Sequence, residues 1–580
     1  MSKTSSVLMS IVLAAGAASC TAPETAGSDC PDPTSLAEGQ AGTMAHVRYL
    51  ADDALEGRDV ASAGERCAAT YIVDRLDAAG LEPAGLDGTW MQPFEVRTGS
   101  RLGDDNALVV AGEETTLGGD WAPFGFSGTG RVEAPLIHVA GDLPADSTEA
   151  AAALEGRIVV LDGVDADAPA GSLPADPHFR ASVARNRGAA AVVVLYPDGA
   201  DLPALDGERR PFLPIPVVAA RGARADAIRA AAEAGQPATV AAAVEPAVGE
   251  ARNVVALLPG SDPERAAEVV VVGAHYDHLG HGGDGSLAPD SREIHNGADD
   301  NASGTAALLE VAARLADGPA PARPILFIAF SGEERGLLGS AHYVRNPTVP
   351  LDDAVAMLNM DMVGRLRDNT LTVFGMVTAP EWESLVRGVN EARDAPFQLA
   401  LLPDGYGPSD HSSFYGAGIP VLHFFTNTHT EYHRPVDDWD TLNGEGLDRI
   451  ADLVADIAGT VAGSGTTRVA TLTPVESQPP APAAEGEESA RGYGPYFGSI
   501  PDMAPTDYGV RLSGVREGSP AERAGLQAGD VLVRFGDTEV TDLYAFTYGL
   551  RDAAPGDRVE VVVERDGQRL TMYAVLGERR

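Results

Sequence analysis

Between Arg252 and Ala462 six short apolar runs alternate with helical patterns, and this alternation leaves few folds open. The runs are 254–258, 269–273, 325–330, 354–360, 371–374 and 421–425; the helical patterns are 304–316, 336–345, 381–392 and 447–462. The runs are nearly continuous in Val, Ile, Leu, Met and Phe and do not alternate with polar residues, so both faces of each strand should be buried. Helices between such strands predict an α/β fold, a doubly wound mixed sheet covered on both sides. In an open sheet of this kind, ligands gather beyond the carboxyl ends of the strands.

The residues just past each run are therefore the first candidates for a site. His275 and Asp277 come after the second run, and Glu333 and Glu334 after the third. Asp361 ends the fourth, and Tyr432-His433 lies beyond the sixth. Asp299 and Asp300 open the helical pattern that begins at 304. Solvated loops seldom place His and carboxylate residues at so many strand ends together. The chain has 3 cysteines, too few for a thiolate site, so a metal here must take nitrogen and oxygen donors. Five such ligands with one shared carboxylate suit a pair of divalent ions that activate a water and stabilise an oxyanion. Two adjacent glutamates allow one to bind metal and the other to act as general base.

The ordered set His275-x-Asp277, Gly297-Ala298-x-Asp300-Asn301-Ala302-Ser303-Gly304, Glu333-Glu334, Asn359-Met360-Asp361 and Tyr432-His433 resembles the di-zinc aminopeptidases of metallopeptidase family M28. The resemblance spans residues 35–463. It implies the zinc-exopeptidase (phosphorylase/hydrolase-like) fold and two Zn2+ ions per chain. His275 and Asp361 match the ligands of one zinc, Glu334 and His433 those of the other, and Asp300 the bridging aspartate. Asp299 fills a variable position and is not expected to ligate. Glu333 matches the general base, and Asp277 the aspartate that orients the His ligand. Tyr432 stands where some members place an oxyanion-stabilising tyrosine and others do not.

Other polar residues have plainer readings. His278, His281 and His295, in and beside the Gly-rich loop 279–296, are expected to be solvated or to line a rim. Ser409-Asp410-His411 lacks a nucleophile elbow, so it reads as a cluster behind the site and not as a hydrolase triad. His423 and His429 read as structural.

The first 20 residues read as an export signal: Lys3, then an apolar or small run over 7–18 too short to anchor permanently in a bilayer. Ala17-Ala18-Ser19 ahead of Cys20 resembles a bacterial lipoprotein box, with Ala17 in place of the usual Leu; a plain signal-peptidase cut is the other reading. Either implies export, to the periplasm, the outer membrane or the medium, and the only expected membrane link is a lipid on Cys20. Residues 21–34 read as a tether and 35–128 as the first part of the peptidase domain. Cys30 and Cys67 could pair outside the cytoplasm or remain two thiols.

Residues 129–248 carry short strand candidates and Ala-rich helices and resemble a protease-associated (PA) insertion, which implies a lid or substrate-selecting wall. Residues 249–463 complete the peptidase domain. Residues 464–490, with Gln478-Pro479-Pro480-Ala481-Pro482, read as a linker. Over 491–580, Glu517-Gly518-Ser519-Pro520-Ala521 followed by 524–532 resembles a PDZ domain of the bacterial protease type, mostly β. Such a domain would receive an extended peptide or its C-terminal carboxylate at Tyr496-Phe497-Gly498-Ser499-Ile500, with a helix over 543–551 as the opposite wall.

A net charge of −43, from 42 basic against 85 acidic residues, argues against nucleic acid as a partner. The expected function is an exported di-zinc aminopeptidase acting on peptides with a free N-terminus. A carboxypeptidase or dipeptidase on the same fold is the alternative, with Arg365, Arg367 and Arg434 as candidates to hold a substrate carboxylate. A non-catalytic binding homologue would show decayed ligands, and here the set is intact.

Overall fold

The structure is a computed structural model. It describes residues 30–577 apart from 37, 38, 40, 142, 144–151, 164–175, 206, 209, 284, 289, 290, 353, 464–470, 476–494, 502–507, 516–518, 542, 554, 555 and 566. The expected export signal, the tether before residue 30, most of the linker and Glu517-Gly518 lie outside the described residues.

Four parallel strands form the centre of a nine-stranded sheet, in the spatial order Ile325–Phe330, Val270–His275, Ala356–Met360 and Val421–Phe425. Val244–Leu258 flanks the first of these antiparallel, and Thr370–Phe374 flanks the last, also antiparallel. The sheet is thus mixed. The apolar runs become central strands because both their faces are covered. Val270 and Val272 pack with Val254, Leu308, Val311, Leu447 and Leu453, under the helices Thr43–Leu50, Ala63–Ala78, Gly304–Asp317 and Gly444–Ala462. Val269 and Val271 face the other way, with Leu326, Ile328, Tyr343, Met357 and Phe414. Each such aliphatic side chain, fully buried, contributes about 1.5–3 kcal/mol.

Met91–Leu102 pairs antiparallel with the first part of Val244–Leu258, from Met91 against Val254 to Leu102 against Val244. This ribbon leads out to a second, eight-stranded sheet that holds Gly130–Val139, Ile158–Asp162, Ala191–Tyr196 and Val217–Arg221 in parallel. Ala107–Val110 and Trp121–Pro123 also belong to it, so its strands begin ahead of residue 129. A third sheet, of six strands, lies between Ser499 and Val575. It ends in the hairpin Arg558–Arg565 with Gln568–Val575. Cys30 and Cys67 form a disulfide that ties the start of the described chain to the helix Ala63–Ala78. Among the described residues no helix is long and apolar enough to cross a membrane.

Candidate metal centre

The four central strands end side by side, and their ends bring together residues up to 158 positions apart in the chain, from His275 to His433. His275 is the last residue of its strand and 1% exposed. Its Nε2 lies 3.4 Å from Asp300 Oδ1, 3.5 Å from Asp361 Oδ1 and 3.9 Å from Glu333 Oε2. On the other side, His433 Nε2 lies 3.0 Å from Asp300 Oδ2 and 3.2 Å from Glu334 Oε2. Asp300 therefore turns one oxygen to each histidine.

These separations bear on whether metal ions fit. Buried Nε2 of His275 and Oδ1 of Asp361 have no hydrogen-bond partner. Two ligands on one tetrahedral ion, each about 2.0–2.1 Å from it, stand roughly 3.3 Å apart. The contacts around His275 are long for hydrogen bonds and close to that figure. His275 with Glu333 and Asp361, and Asp300 with Glu334 and His278, form two groups whose ligand atoms lie within 4.8 Å of one another. The donor set, imidazole and carboxylate without thiolate, suits zinc.

Electrostatics point the same way. Burial would favour neutral imidazole at His275, yet Glu333, Asp361 and Asp300 push its pKa well above the ordinary value. Burial opposes a charged His433 likewise, and Glu334 and Asp300 raise it to about 11. Burial, with Glu334 and Asp361 nearby, holds Glu333 well above the usual carboxylate range despite His275. Glu334 falls to about 2, because His433 and His278 outweigh burial and Asp300. The site is a buried crowd of carboxylates that draws positive charge to itself.

The loops that carry these groups are held by backbone contacts. Asp277 accepts the Glu333 N–H at Oδ1 (3.1 Å) and the Glu334 N–H at Oδ2 (3.4 Å), fixing the turn that presents both glutamates. Its Oδ1 is 3.7 Å from His275 Nδ1, whereas its own carbonyl oxygen is nearer, at 3.2 Å. Asn301 donates to the Met360 carbonyl (3.0 Å) and accepts the N–H groups of Gly304 (2.8 Å) and Met362 (3.2 Å), strapping the Asp300 loop to the strand end that bears Asp361. A Cβ on Gly304 would come within 2.4 Å of the Met360 oxygen, so only glycine allows this approach. Tyr432 stacks on His433 with ring centroids 3.8 Å apart. Burial and the surrounding carboxylates raise the Tyr432 pKa, so the phenol keeps its proton.

Asp299 is wholly buried but turned away: Oδ1 accepts from Gly364 N (2.7 Å) and Ser303 Oγ (3.0 Å), and Oδ2 lies 3.2 Å from His429 Nε2. His423 stacks on His411, both buried, and Asn359 donates to Ser409, so Ser409-Asp410-His411 packs behind the strand that leads to Asp361. His281 is exposed. His278 and His295, expected at a solvated rim, are instead fully buried. The loop 279–296 folds back over the site: Leu287 N–H donates to the His433 carbonyl, and Gly285 oxygen lies 2.7 Å from His433 Nδ1. Arg365 is engaged with Glu431 and the Thr441 carbonyl, and Arg367 with three carbonyls of 426–428.

Three residues of the site stand outside the sequence patterns. Arg58 is 0% exposed and donates to the carbonyls of Leu50, Tyr276, Asn296 and Gly297, so one guanidinium grips both loops of the site. Burial lowers it to about 10 against the pull of Asp277, Asp300, Asp437 and Glu334, and it remains a cation at neutral pH. Asp437 Oδ2 accepts the N–H groups of Asp299 (3.0 Å) and Asp300 (3.1 Å). Glu65 touches Tyr276 and Ser331 from the helix Ala63–Ala78. A lone Arg after glycine between two apolar helices, and a buried Glu on an otherwise apolar helix face, are the signals that could have found Arg58 and Glu65.

Residues 253–458 match the profile of peptidase family M28, and residues 500–575 match that of the PDZ domain. The chain is 34% identical over 198 residues to aminopeptidase YwaD of Bacillus subtilis, covering 32% of this chain and 40% of that protein. It is 27% identical over 395 residues to the probable lipoprotein aminopeptidase LpqL of Mycobacterium tuberculosis, covering 65% of this chain and 72% of that one. A solved zinc aminopeptidase from Bacillus subtilis is similar at 23% identity and a TM-score of 0.46, over 72% of this chain and 93% of its own. The chain thus spans less than half the length of YwaD.

Proposed function

Because the chain carries a peptidase family M28 domain, we propose that it is an exported di-zinc aminopeptidase, removing the N-terminal residue of peptides. The observation that supports this most is Asp300, whose two oxygens face two histidines from opposite sides among orphaned buried ligand atoms. In this reading His275 and Asp361 would hold one zinc and Glu334 and His433 the other, with Asp300 offering an oxygen to each. The bound ions would supply Lewis acidity and lower the pKa of a shared water.

The chain's own residues do the rest. Glu333, with Oε2 3.9 Å from His275 Nε2, takes the proton of the attacking water in its ionised form, which a cation at the neighbouring ligands would favour, and returns it to the leaving amine. Asp277 holds Glu333 and Glu334 on one rigid turn through their N–H groups. The Tyr432 phenol keeps its proton and can donate to the oxyanion as it develops. A free α-amine, being cationic, suits a site so rich in carboxylate. Arg365 and Arg367 are spent on internal partners, which weakens the reading in which they grip a substrate carboxylate. The disulfide fits an oxidising compartment and so an exported chain. The PDZ domain would bind an extended peptide at the strand Ser499–Pro501.

Metal analysis together with free-amine and N-acetylated forms of one peptide tests this reading. The expected result is two zinc per chain and cleavage of the free peptide alone. Cleavage of the blocked peptide, or a protein that neither holds nor responds to zinc, would overturn it.

A further inference from the structure

His278 is a buried histidine with no part in the proposed chemistry. Its imidazole is wedged between the two loops of the site. On one side is Gly297, where a Cβ would lie 2.4 Å from the ring, so glycine makes room for it. On the other is Glu334, whose Oε1 is 2.6 Å from His278 Nδ1. The residue's own N–H donates to the Arg58 carbonyl, 3.2 Å away, which fixes its backbone. The ring stands edge-on to His433, with centroids 5.8 Å apart at 71°.

A carboxylate beside an imidazole nitrogen at this distance accepts an N–H, so Nδ1 carries the hydrogen. Glu334 Oε1 is then occupied. Oε2 is left pointing at His433 Nε2, 3.2 Å away, with Asp300 Oδ2 3.0 Å from the same nitrogen. We propose that His278 is the positioning residue of the second metal site: by holding Oε1 of Glu334 it sets Oε2 as the oxygen offered to the ion, beside Asp300 Oδ2 and His433 Nε2. This inference rests on the reading that Glu334 and His433 bind metal. It adds a residue that touches neither substrate nor, in this arrangement, the ion. Fixing a ligand through its second atom is a general device at metal sites, and removing such a partner weakens metal binding by roughly ten- to a hundredfold.

Zinc titration of the stripped full-length protein tests the inference, with His278→Leu, which keeps bulk without the N–H, and His278→Asn, whose Nδ2 can stand where Nδ1 stands. Wild type should take up two ions. His278→Leu should weaken one of the two sites by roughly ten- to a hundredfold and leave the other within a few-fold. His278→Asn should restore most of the loss. Melting temperatures of the metal-free forms check that the variants fold; if the Leu protein does not, His278→Ala takes its place. Equal weakening of both sites, no weakening, or an Asn variant as impaired as Leu would overturn the proposal, the last because the ring itself would then be what holds the ion. If wild type bound no zinc pair at all, the functional reading would fall first, and the two failures are thereby distinguished.

Discussion

Glu65 offers a test of the fold beneath the site that needs no substrate. It is 0% exposed, and its Oε1 lies 2.5 Å from the Tyr276 hydroxyl and 3.0 Å from Ser331 Oγ. Tyr276 oxygen is also 2.6 Å from the Arg252 carbonyl. A phenol has one hydrogen, so both short contacts can be hydrogen bonds only if Glu65 supplies the second proton. Geometry therefore asks for a protonated Glu65. Burial raises its pKa to about 7, against the hydrogen bonds of Tyr276 and Ser331 and the charge of Arg252.

A carboxyl whose folded pKa is raised contributes its stability below the unfolded value of 4.5 and loses it as pH rises through 7. The whole span is worth about 3 kcal/mol. Glu65→Gln is neutral at every pH, and its NH2 can donate to Tyr276 as the protonated acid does. The variant should gain on wild type as pH rises, by about 2 kcal/mol between pH 5 and pH 8. Urea unfolding of both proteins at matched pH values reads this difference, in which the other titrating groups cancel. A gap that stays flat, or that closes towards pH 8, would refute the reasoning.

Five further substitutions probe the site and its supports. Glu333→Gln should retain zinc but lose peptide hydrolysis by at least a hundredfold, the scale of a positioned general base, as measured by kcat on a free-amine peptide with metal content in parallel. Asp300→Asn should impair both metal sites, whereas Asp299→Asn, facing Gly364 and His429, should leave zinc stoichiometry at the wild-type value; titration separates the two. Cys67→Ser opens a loop of 37 residues and should lower stability by about 3–4 kcal/mol on the chain-entropy scale, a loss that reductant reproduces in wild type. Asp437→Ala leaves the Asp299 and Asp300 N–H groups without their acceptor and should cost about 1–3 kcal/mol in urea unfolding while weakening zinc uptake.

Legibility in the sequence is uneven for physical reasons. The central strands can be read because burial on both faces writes a continuous apolar run, and the residues beyond them are found by the rule that such sheets bind at their carboxyl ends. Sequence texture places the start of the second sheet near residue 129, yet Ala107–Val110 and Trp121–Pro123 pair within it. Strand partners are chosen across long sequence separations, and no local pattern tells which sheet a short run joins. His278 and His295 defeat the sequence reading because the Gly-rich loop around them looks solvated, and only its fold back onto His433 buries them. Arg58 is marked in the sequence only by its place after a glycine between two helices, because its partners are all main-chain oxygens, which residue identities do not reveal.

Arg58 also bears on why a peptidase domain of this kind carries helices ahead of its insertion. Five carboxylates, Asp277, Asp300, Glu333, Glu334 and Asp361, converge in a volume shielded from water, and their repulsion would spread the loops if nothing opposed it. Metal ions oppose it when bound, but the loops must already be near their places to bind them. Arg58 is a fixed cation supplied from the segment just before the helix Ala63–Ala78, anchored to carbonyls on both sides of the gap between Asp277 and Asp300. It offsets part of the charge and ties the two loops together in the same contact. The N-terminal helices thus serve the site as much as the core: they hold in place a cation that, with the imidazoles of His275 and His433, lets the carboxylates gather.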